Sequence, residues 1–166
     1  ISGICPLIDD PAVLYDKTKR VEYTLLNDLR SVDHSGLLEA LIQAGHATLV
    51  IFNTKKGALE FYNCTRELWH WEKKYHLSTA MCPAHRKYVI NNIRADLKAK
   101  KKILVVSPQL IEAGVDFDFP VVFRAMAPLE AVIQSAGRCN REGRLGELGG
   151  KVFLFKLQDG GMPSKT

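Results

Sequence analysis

Four short, continuous apolar runs constrain the fold of this chain more than any other feature of its sequence. They are rich in Val, Ile and Phe, which is typical of strands buried on both faces of a parallel sheet. The runs occupy residues 47–52, 103–106, 121–123 and 152–155. Segments with helical periodicity separate them, and strands that alternate with helices predict an α/β sandwich with right-handed crossovers.

One of these helical segments has two distinct faces. Apolar residues recur at i, i+3, i+4 and i+7, which a helix places on one side: Leu129, Val132, Ile133 and Ala136. A second set repeats that spacing: Gln134, Gly137, Arg138 and Arg141. We predict one helix that packs on the sheet and directs both arginines away from it, with Gly137 leaving room for close approach. Two guanidinium groups one turn apart suit a polyphosphate, although cations are also favoured near any helix C-terminus.

Composition excludes several classes of protein. The chain has 166 residues, 46% hydrophobic and 25% charged, which is typical of a globular domain and not of a disordered one. Its apolar runs fall far short of the ~20 residues of a membrane-spanning helix, and we expect no secretory signal. The formal charge of +5 permits a polyanionic partner. The cysteines are scattered, with no Cys-x-x-Cys pair, so we expect no metal site and a reducing, cytoplasmic setting.

The two ends of the chain differ from its middle. Apolar stretches at 12–15 and 21–25 flank a polar turn, which predicts a β-hairpin or a strand leading in from an upstream domain. We assign residues 1–32 to this segment, 33–157 to one domain and the Gly-, Pro- and Ser-containing residues 158–166 to a frayed tail. The chain lacks an initiator Met, which indicates a piece of a longer protein. Function in such a sheet lies at the carboxyl ends of the strands, where we expect segments 53–56, 78–86, 107–118 and 134–144 to meet.

Several strings of residues resemble known motifs. The string QSAGRCNREGR at 134–144 resembles motif VI of superfamily 2 helicases, VVSPQLIEAGVDFDFP at 105–120 resembles motif V, and VIFNT at 50–54 resembles motif IV. The strings LSTAMCPAHR at 77–86 and AGRCNREGR at 136–144 are similar to the CRISPR-associated helicase–nuclease of type I systems. The resemblance runs from about residue 5 to residue 155, with the motifs in the same order.

The resemblance implies the second of two RecA-like domains, a three-layer sandwich with a mostly parallel central sheet. In that family ATP and Mg²⁺ lie between the two domains, and the motor moves 3′ to 5′ on single-stranded DNA. An HD nuclease domain degrades that strand, and the RNA-guided Cascade complex recruits the enzyme. The chain has no Gly-x-x-x-x-Gly-Lys-[Ser/Thr] loop, no acidic box for Mg²⁺ and no His-Asp cluster. We therefore expect half of a motor, monomeric and without ATPase activity alone, whose ATP and Mg²⁺ are bound mainly by a missing first domain.

The resemblance also implies roles for particular residues. Arg138 and Arg141 would reach the β- and γ-phosphates of ATP and stabilise transition-state charge. Four others would lie at the nucleotide: Gln134, Gly137, Asp116 and Gly114. Four would contact single-stranded DNA: Thr54, Thr79, Ser107 and Arg86. From the residues alone, Thr54 and Ser107 also read as N-caps of following helices, and Asp116 as a turn residue.

Two further features enter the interpretation. Pro108 stands where the family pattern has Thr, and proline donates no hydrogen bond, so either Ser107 supplies that contact or coupling to DNA is weaker. Trp69 continues the apolar stripe of a helical segment, which favours core packing over base stacking. Two alternatives remain open, namely the second domain of another superfamily 2 helicase and a non-catalytic binding module with the same fold.

Overall fold

A computed structural model describes residues 19–108, 116–146 and 149–158. Strands and helices alternate along most of this length, as the apolar runs predict. In chain order the elements are β1 (Val21–Leu25), a 3₁₀ helix (Leu26–Leu29), β2 (Ser31–Val32), α1 (His34–Ala44), β3 (Thr48–Ile51), α2 (Lys55–Cys64), β4 (Lys73–His76), α3 (Pro83–Lys98), β5 (Ile103–Ser107), β6 (Val121–Ala125), α4 (Leu129–Ala136) and β7 (Gly150–Leu157).

The strands form one sheet in the order β1-β7-β6-β3-β5-β4, and β2 also pairs with β7. Every pairing between the named strands is parallel. In register, Val50 on β3 lies beside Val106 on β5 and Phe123 on β6. The predicted α/β sandwich with a parallel sheet is therefore confirmed.

Two apolar cores cover the two faces of the sheet, because successive side chains of a strand point to opposite sides. Val50 and Phe123 pack with Leu37 of α1 and Phe61 of α2. On the opposite face, alternate strand residues pack with α3 and the end of α4, forming a second cluster that includes Leu49, Val105, Val122, Ile93 and Ala136. The sheet is thus the middle of three layers.

Strand β4 was not predicted from the sequence. Its four residues read Lys-Lys-Tyr-His, without an apolar run. The Lys74 ammonium donates to the carbonyls of Thr65, Arg66 and Leu68, at 2.8, 2.6 and 2.8 Å. Charged side chains therefore anchor this edge strand. It contains too few apolar residues to form an apolar run in the sequence.

The N-terminal segment also joins the sheet. Residues 21–25 form β1, which runs parallel to β7, and Arg20 accepts a hydrogen bond from Gly150 N at 2.9 Å. The first half of the predicted hairpin, residues 12–15, lies outside the described residues, as does the tail from residue 159. The proposed domain limits stay predictions. Of the helices in the described ranges, none has the length and hydrophobicity that crossing a bilayer requires.

Candidate nucleotide and nucleic-acid sites

The arginines of the motif VI string do not lie on a helix, contrary to prediction. Helix α4 ends at Ala136, and Gly137 N donates to Ile133 O at 3.0 Å as the last helical bond. The chain then pairs with the residue stretch that leads into β6. Phe119 N donates to Arg138 O at 2.9 Å, and Asn140 N donates to Phe119 O at 3.0 Å. This pairing with Phe119 satisfies backbone groups that a longer helix would have used internally.

Arg138 and Arg141 nevertheless converge on one carboxylate. The Arg138 Nη1 atom lies 3.9 Å from Asp116 Oδ1, and Arg141 Nη1 forms a salt bridge with the same oxygen. The side chain of Arg138 is 17% exposed, that of Arg141 43% and that of Asp116 75%. The two guanidinium groups, one largely buried and one partly exposed, thus direct their positive charge at one exposed carboxylate oxygen.

The other residues predicted at the nucleotide are placed as follows. Gln134 and Gly137 are exposed at the end of α4, immediately before Arg138. A Cβ atom on Gly137 would lie 3.3 Å from Gln134 O, so a side chain here would crowd the last turn of α4. Gly114 lies outside the described residues.

This group lies at the amino edge of the sheet, which corrects a second expectation. Asp116 and Phe119 precede β6, and Arg20, which donates to Arg141 O at 2.6 Å, precedes β1. A crossover helix between parallel strands runs antiparallel to them, so the end of α4 returns to the edge where the strands begin. The expectation that segment 134–144 and Asp116 join the carboxyl edge is therefore wrong.

Three predicted nucleic-acid residues do lie together at the carboxyl edge. Ser107 ends β5 and is buried, and its carbonyl accepts from Phe52 N at 2.9 Å. Thr54 caps α2, since its Oγ1 accepts from Gly57 N at 3.1 Å, which confirms the capping interpretation. Thr79 is exposed in the turn after β4, where Leu77 N donates to Val106 O. Their contacts with DNA stay predictions.

The fourth predicted nucleic-acid residue, Arg86, lies in the first turn of α3 and is half-buried. Helix α3 begins at Pro83, within the string LSTAMCPAHR, and Arg86 N donates to Cys82 O at 2.9 Å. The helix therefore starts just after the turn that carries Thr79.

A buried arginine at the carboxyl edge was missed by sequence reasoning. Arg124 Nη1 donates to Asn53 Oδ1 at 2.8 Å and to Ile51 O at 3.3 Å, while Asn53 Nδ2 donates to Met126 O at 2.7 Å. Its Nε atom is buried and has no hydrogen-bond partner among the residues that the structure describes, and burial lowers the pKa of the guanidinium. The Asn53 amide thus connects the ends of β3 and β6 just before Thr54. A single Arg inside an otherwise apolar strand was the available signal.

Comparison with known proteins now decides the family. The family described as "CRISPR-associated nuclease/helicase Cas3, C-terminal" matches residues 44–144, more than half of the chain. The chain belongs to this family. The matched range contains Asp116, Arg138 and Arg141 at the amino edge of the sheet, and Thr54, Thr79, Ser107 and Arg86 near its carboxyl edge. Both groups are therefore parts of the Cas3 C-terminal domain.

Individual Cas3 proteins agree with this assignment. The CRISPR-associated nuclease/helicase Cas3 of Haloferax volcanii is 48% identical over 56 residues, which are 34% of this chain and 6% of that protein. The CRISPR-associated helicase Cas3 of Thermoproteus tenax is 28% identical over 122 residues, which are 72% of this chain and 21% of that protein. The chain thus spans about a fifth or less of the curated relatives that it matches.

The fold is also that of a solved Cas3 structure. The crystal structure of T. fusca Cas3 has a TM-score of 0.70 at 18% identity, with 93% of this chain and 20% of that chain covered. Structures of T. fusca Cas3 with ADP, AMPPNP and ATP have TM-scores of 0.69, 0.66 and 0.64. At this identity the likeness establishes the RecA-like fold alone.

Proposed function

We propose that this chain is the second motor domain of an ATP-dependent helicase in type I CRISPR interference, which translocates 3′ to 5′ on single-stranded DNA. The observation that carries the proposal is the convergence of Arg138 and Arg141 on one carboxylate oxygen, within the Cas3 C-terminal fold. In this proposal the two guanidinium groups act as arginine fingers toward ATP held mainly by a first RecA-like domain. That domain also supplies the Mg²⁺ ligands. Among the described residues of this chain, no three His, Cys, Asp or Glu side chains cluster closely enough to hold a metal ion.

The charges at the amino edge fit a polyphosphate. The Asp116 carboxylate occupies the point on which both guanidinium groups are directed, and so it stands where a phosphate oxygen would bind. Guanidinium groups remain protonated and donate planar, charged hydrogen bonds to phosphate. Arrival of a phosphate would release the exposed Asp116 toward a neighbouring hydroxyl, such as that of the ribose. Gln134, Gly137 and Gly114 belong to this site in the proposal.

Bound ATP supplies the phosphoryl group whose transfer to water releases energy, and this chain contributes transition-state stabilisation. Negative charge develops on the transferred group, and fixed cations lower the barrier most when they are already in place. Because Arg138 and Arg141 come from a second domain, they reach the phosphates only when the two domains close. Closure therefore gates hydrolysis.

The carboxyl edge provides the proposed track for single-stranded DNA. Thr54 and Thr79 supply hydroxyl groups there, Ser107 ends the strand between them, and the N-terminus of α2 favours anions. Such contacts follow a phosphate backbone without reading bases. Arg86 would add charge from α3. The proposed partners are the first RecA-like domain, an HD nuclease domain and the Cascade complex.

The test is ATP turnover with and without single-stranded DNA, on this chain and on this chain joined to its first RecA-like domain. We expect no turnover from the 166-residue chain and DNA-stimulated turnover from the longer protein. In the longer protein, Arg138→Ala should reduce turnover by about 10³-fold or more while DNA binding persists, from the size of arginine-finger effects.

Arg144→Ala is the matched control, because Arg144 is an exposed arginine of the same loop whose described salt bridge is to Glu142. It should leave turnover unchanged. Normal turnover in Arg138→Ala would overturn the assignment, and turnover by the chain alone would show a complete site within it. Silence from both proteins would favour a non-catalytic binding module.

A further inference from the structure

We propose that Arg20, Asp118 and Asn140 form a clamp on the backbone of Arg141, and that this clamp sets the direction of the arginine pair. The clamp rests on the proposed function, since it matters for turnover only if Arg138 and Arg141 meet ATP. None of its three residues needs to touch the nucleotide. They are positioning residues.

The backbone of Arg141 is held on both sides. Its N–H donates to Asp118 Oδ1 at 2.8 Å, and its carbonyl accepts from Arg20 Nη1 at 2.6 Å. Arg20 and Asp118 come from segments that lead into β1 and β6. The peptide groups of Arg141 are therefore tied to the segments that lead into two strands of the sheet, whereas its side chain is 43% exposed and pairs with the exposed Asp116.

Asn140 closes the clamp. Its Nδ2 donates to Arg20 O at 2.8 Å, and its Oδ1 accepts from Leu145 N at 3.1 Å. The residue is 2% exposed and has a φ of +44°, a left-handed conformation that Asn tolerates better than most residues. Arg20 thus gives a hydrogen bond to Arg141 and receives one from Asn140. Together these two hydrogen bonds hold the turn that lies between Arg138 and Arg141.

The residue before Asn140 packs the turn against the sheet. Cys139 is buried, with its Sγ atom 3.4 Å from Pro120 O and 3.5 Å from Lys151 O. Burial, together with the charge of Asp118, raises the pKa of its thiol to about 12, so the group is a neutral packing residue. The space for it exists because residue 150 is Gly, where a Cβ atom would lie 2.5 Å from the sulfur.

The clamp matters because the rate effect of an arginine finger depends on where its guanidinium group lies. A misplacement of about 1 Å in a reacting constellation can cost roughly 10²-fold in rate. The Arg141 side chain is 43% exposed, so packing around the guanidinium does not fix its direction. Its salt-bridge partner Asp116 is 75% exposed and gives way to phosphate in the proposed function, so the backbone contacts are what remain to aim the guanidinium when ATP is bound.

The experiment compares Asn140→Gly with Asn27→Gly in the protein that contains both RecA-like domains. Glycine accepts the positive φ at residue 140, so the substitution removes the two side-chain hydrogen bonds without backbone strain. Asn27 is an exposed asparagine with a φ of +51°, which makes it a matched control. We expect Asn140→Gly to lower kcat for ATP about tenfold to a hundredfold with little change in KM. Asn27→Gly should leave both constants unchanged.

Two further variants separate the clamp from the proposed function. In an Arg141→Ala background, Asn140→Gly should cause no further loss, because residues that act as a unit are not additive. An equal loss in both backgrounds, or a normal kcat in Asn140→Gly, overturns the clamp. Normal turnover in Arg141→Ala instead overturns the arginine-finger role. If Asn140→Gly does not fold, Asn140→Asp keeps the acceptor for Leu145 N, loses the donor to Arg20 O and is judged by the same two comparisons.

Discussion

The sharpest stability prediction concerns Asp96, which connects helix α3 to the edge strand β4. Its carboxylate accepts from Tyr75 Oη at 2.5 Å and forms salt bridges of 3.0 Å with Lys73 and with Lys101. Its side chain is 6% exposed. Burial alone would raise its pKa, but the hydrogen bonds from Tyr75, Lys101 and Lys73 outweigh burial and lower the pKa from 3.8 to about 2.

The pKa gives the size of the effect. Because the folded chain binds this proton more weakly than the unfolded chain, the ionised carboxylate stabilises the fold above pH 3.8, and the stabilisation is lost as the pH falls through about 2. At 1.36 kcal/mol for each tenfold difference in proton affinity, the contribution at pH 7 is about 2.5 kcal/mol. At pH 3 the same relation leaves about 1 kcal/mol.

Asp96→Asn should therefore lower the free energy of unfolding by about 2–3 kcal/mol at pH 7, and by clearly less at pH 3. Urea unfolding of the 166-residue chain at both pH values measures this. Glu60→Gln is the matched control, since the ion pair described for Glu60 is an exposed one with Lys56, 3.8 Å away, and it should change stability by less than about 0.5 kcal/mol. A loss that is the same at both pH values, or no loss at pH 7, would refute the reasoning.

Two other predictions test the packing. Gly150→Ala places a Cβ 2.5 Å from Cys139 Sγ and 2.8 Å from Asn140 Cβ. This overpacking should lower the free energy of unfolding by about 1–3 kcal/mol, measured by urea unfolding. An unchanged midpoint would mean that the motif VI loop moves freely. Trp69→Ala should change the free energy of unfolding by less than about 0.5 kcal/mol, because the side chain is 97% exposed. Trp71→Ala should lower it by about 3–5 kcal/mol, because Trp71 is buried. Equal thermal shifts for the two variants would contradict the burial pattern.

Much of the fold could be predicted because burial leaves a direct trace in the sequence. Strands β3, β5, β6 and β7 coincide with the four apolar runs to within a few residues, since strands covered on both faces carry apolar side chains at several consecutive positions. Strand β4 lies at an edge and uses its lysines for contacts, so the same criterion missed it.

The errors have equally local causes. The prediction that Trp69 packs in the core is wrong because α2 ends at Cys64, and helical phase has no meaning beyond that residue. The same assumption extended α4 through Arg141, although the chain leaves the helix after Ala136. The apolar stripe on α4 is only half buried, with Val132 and Ala136 inside and Leu129 and Ile133 exposed.

The candidate site was predicted by motif and not by geometry. The string at 134–144 indicated the arginines, and the structure places both beside Asp116. The roles of Arg20 and Asn140 depend on contacts between residues 120 positions apart, which no local pattern encodes. Their part in the reaction stays a prediction.

The ATP and DNA groups proposed above lie at opposite edges of the sheet, and this placement has a mechanical consequence. Strand β6 crosses the sheet between these edges with five buried residues, which at ~3.3 Å per residue amount to about 17 Å of extended chain. Strand β6 is hydrogen-bonded on both sides, to β3 and to β7, so it can neither stretch nor bend alone. In the proposed motor, a tilt imposed at the ATP end therefore reaches the DNA end as a swing of the whole sheet. In that proposal the domain acts as a rigid lever, whose stroke is set by its length and by the angle of closure.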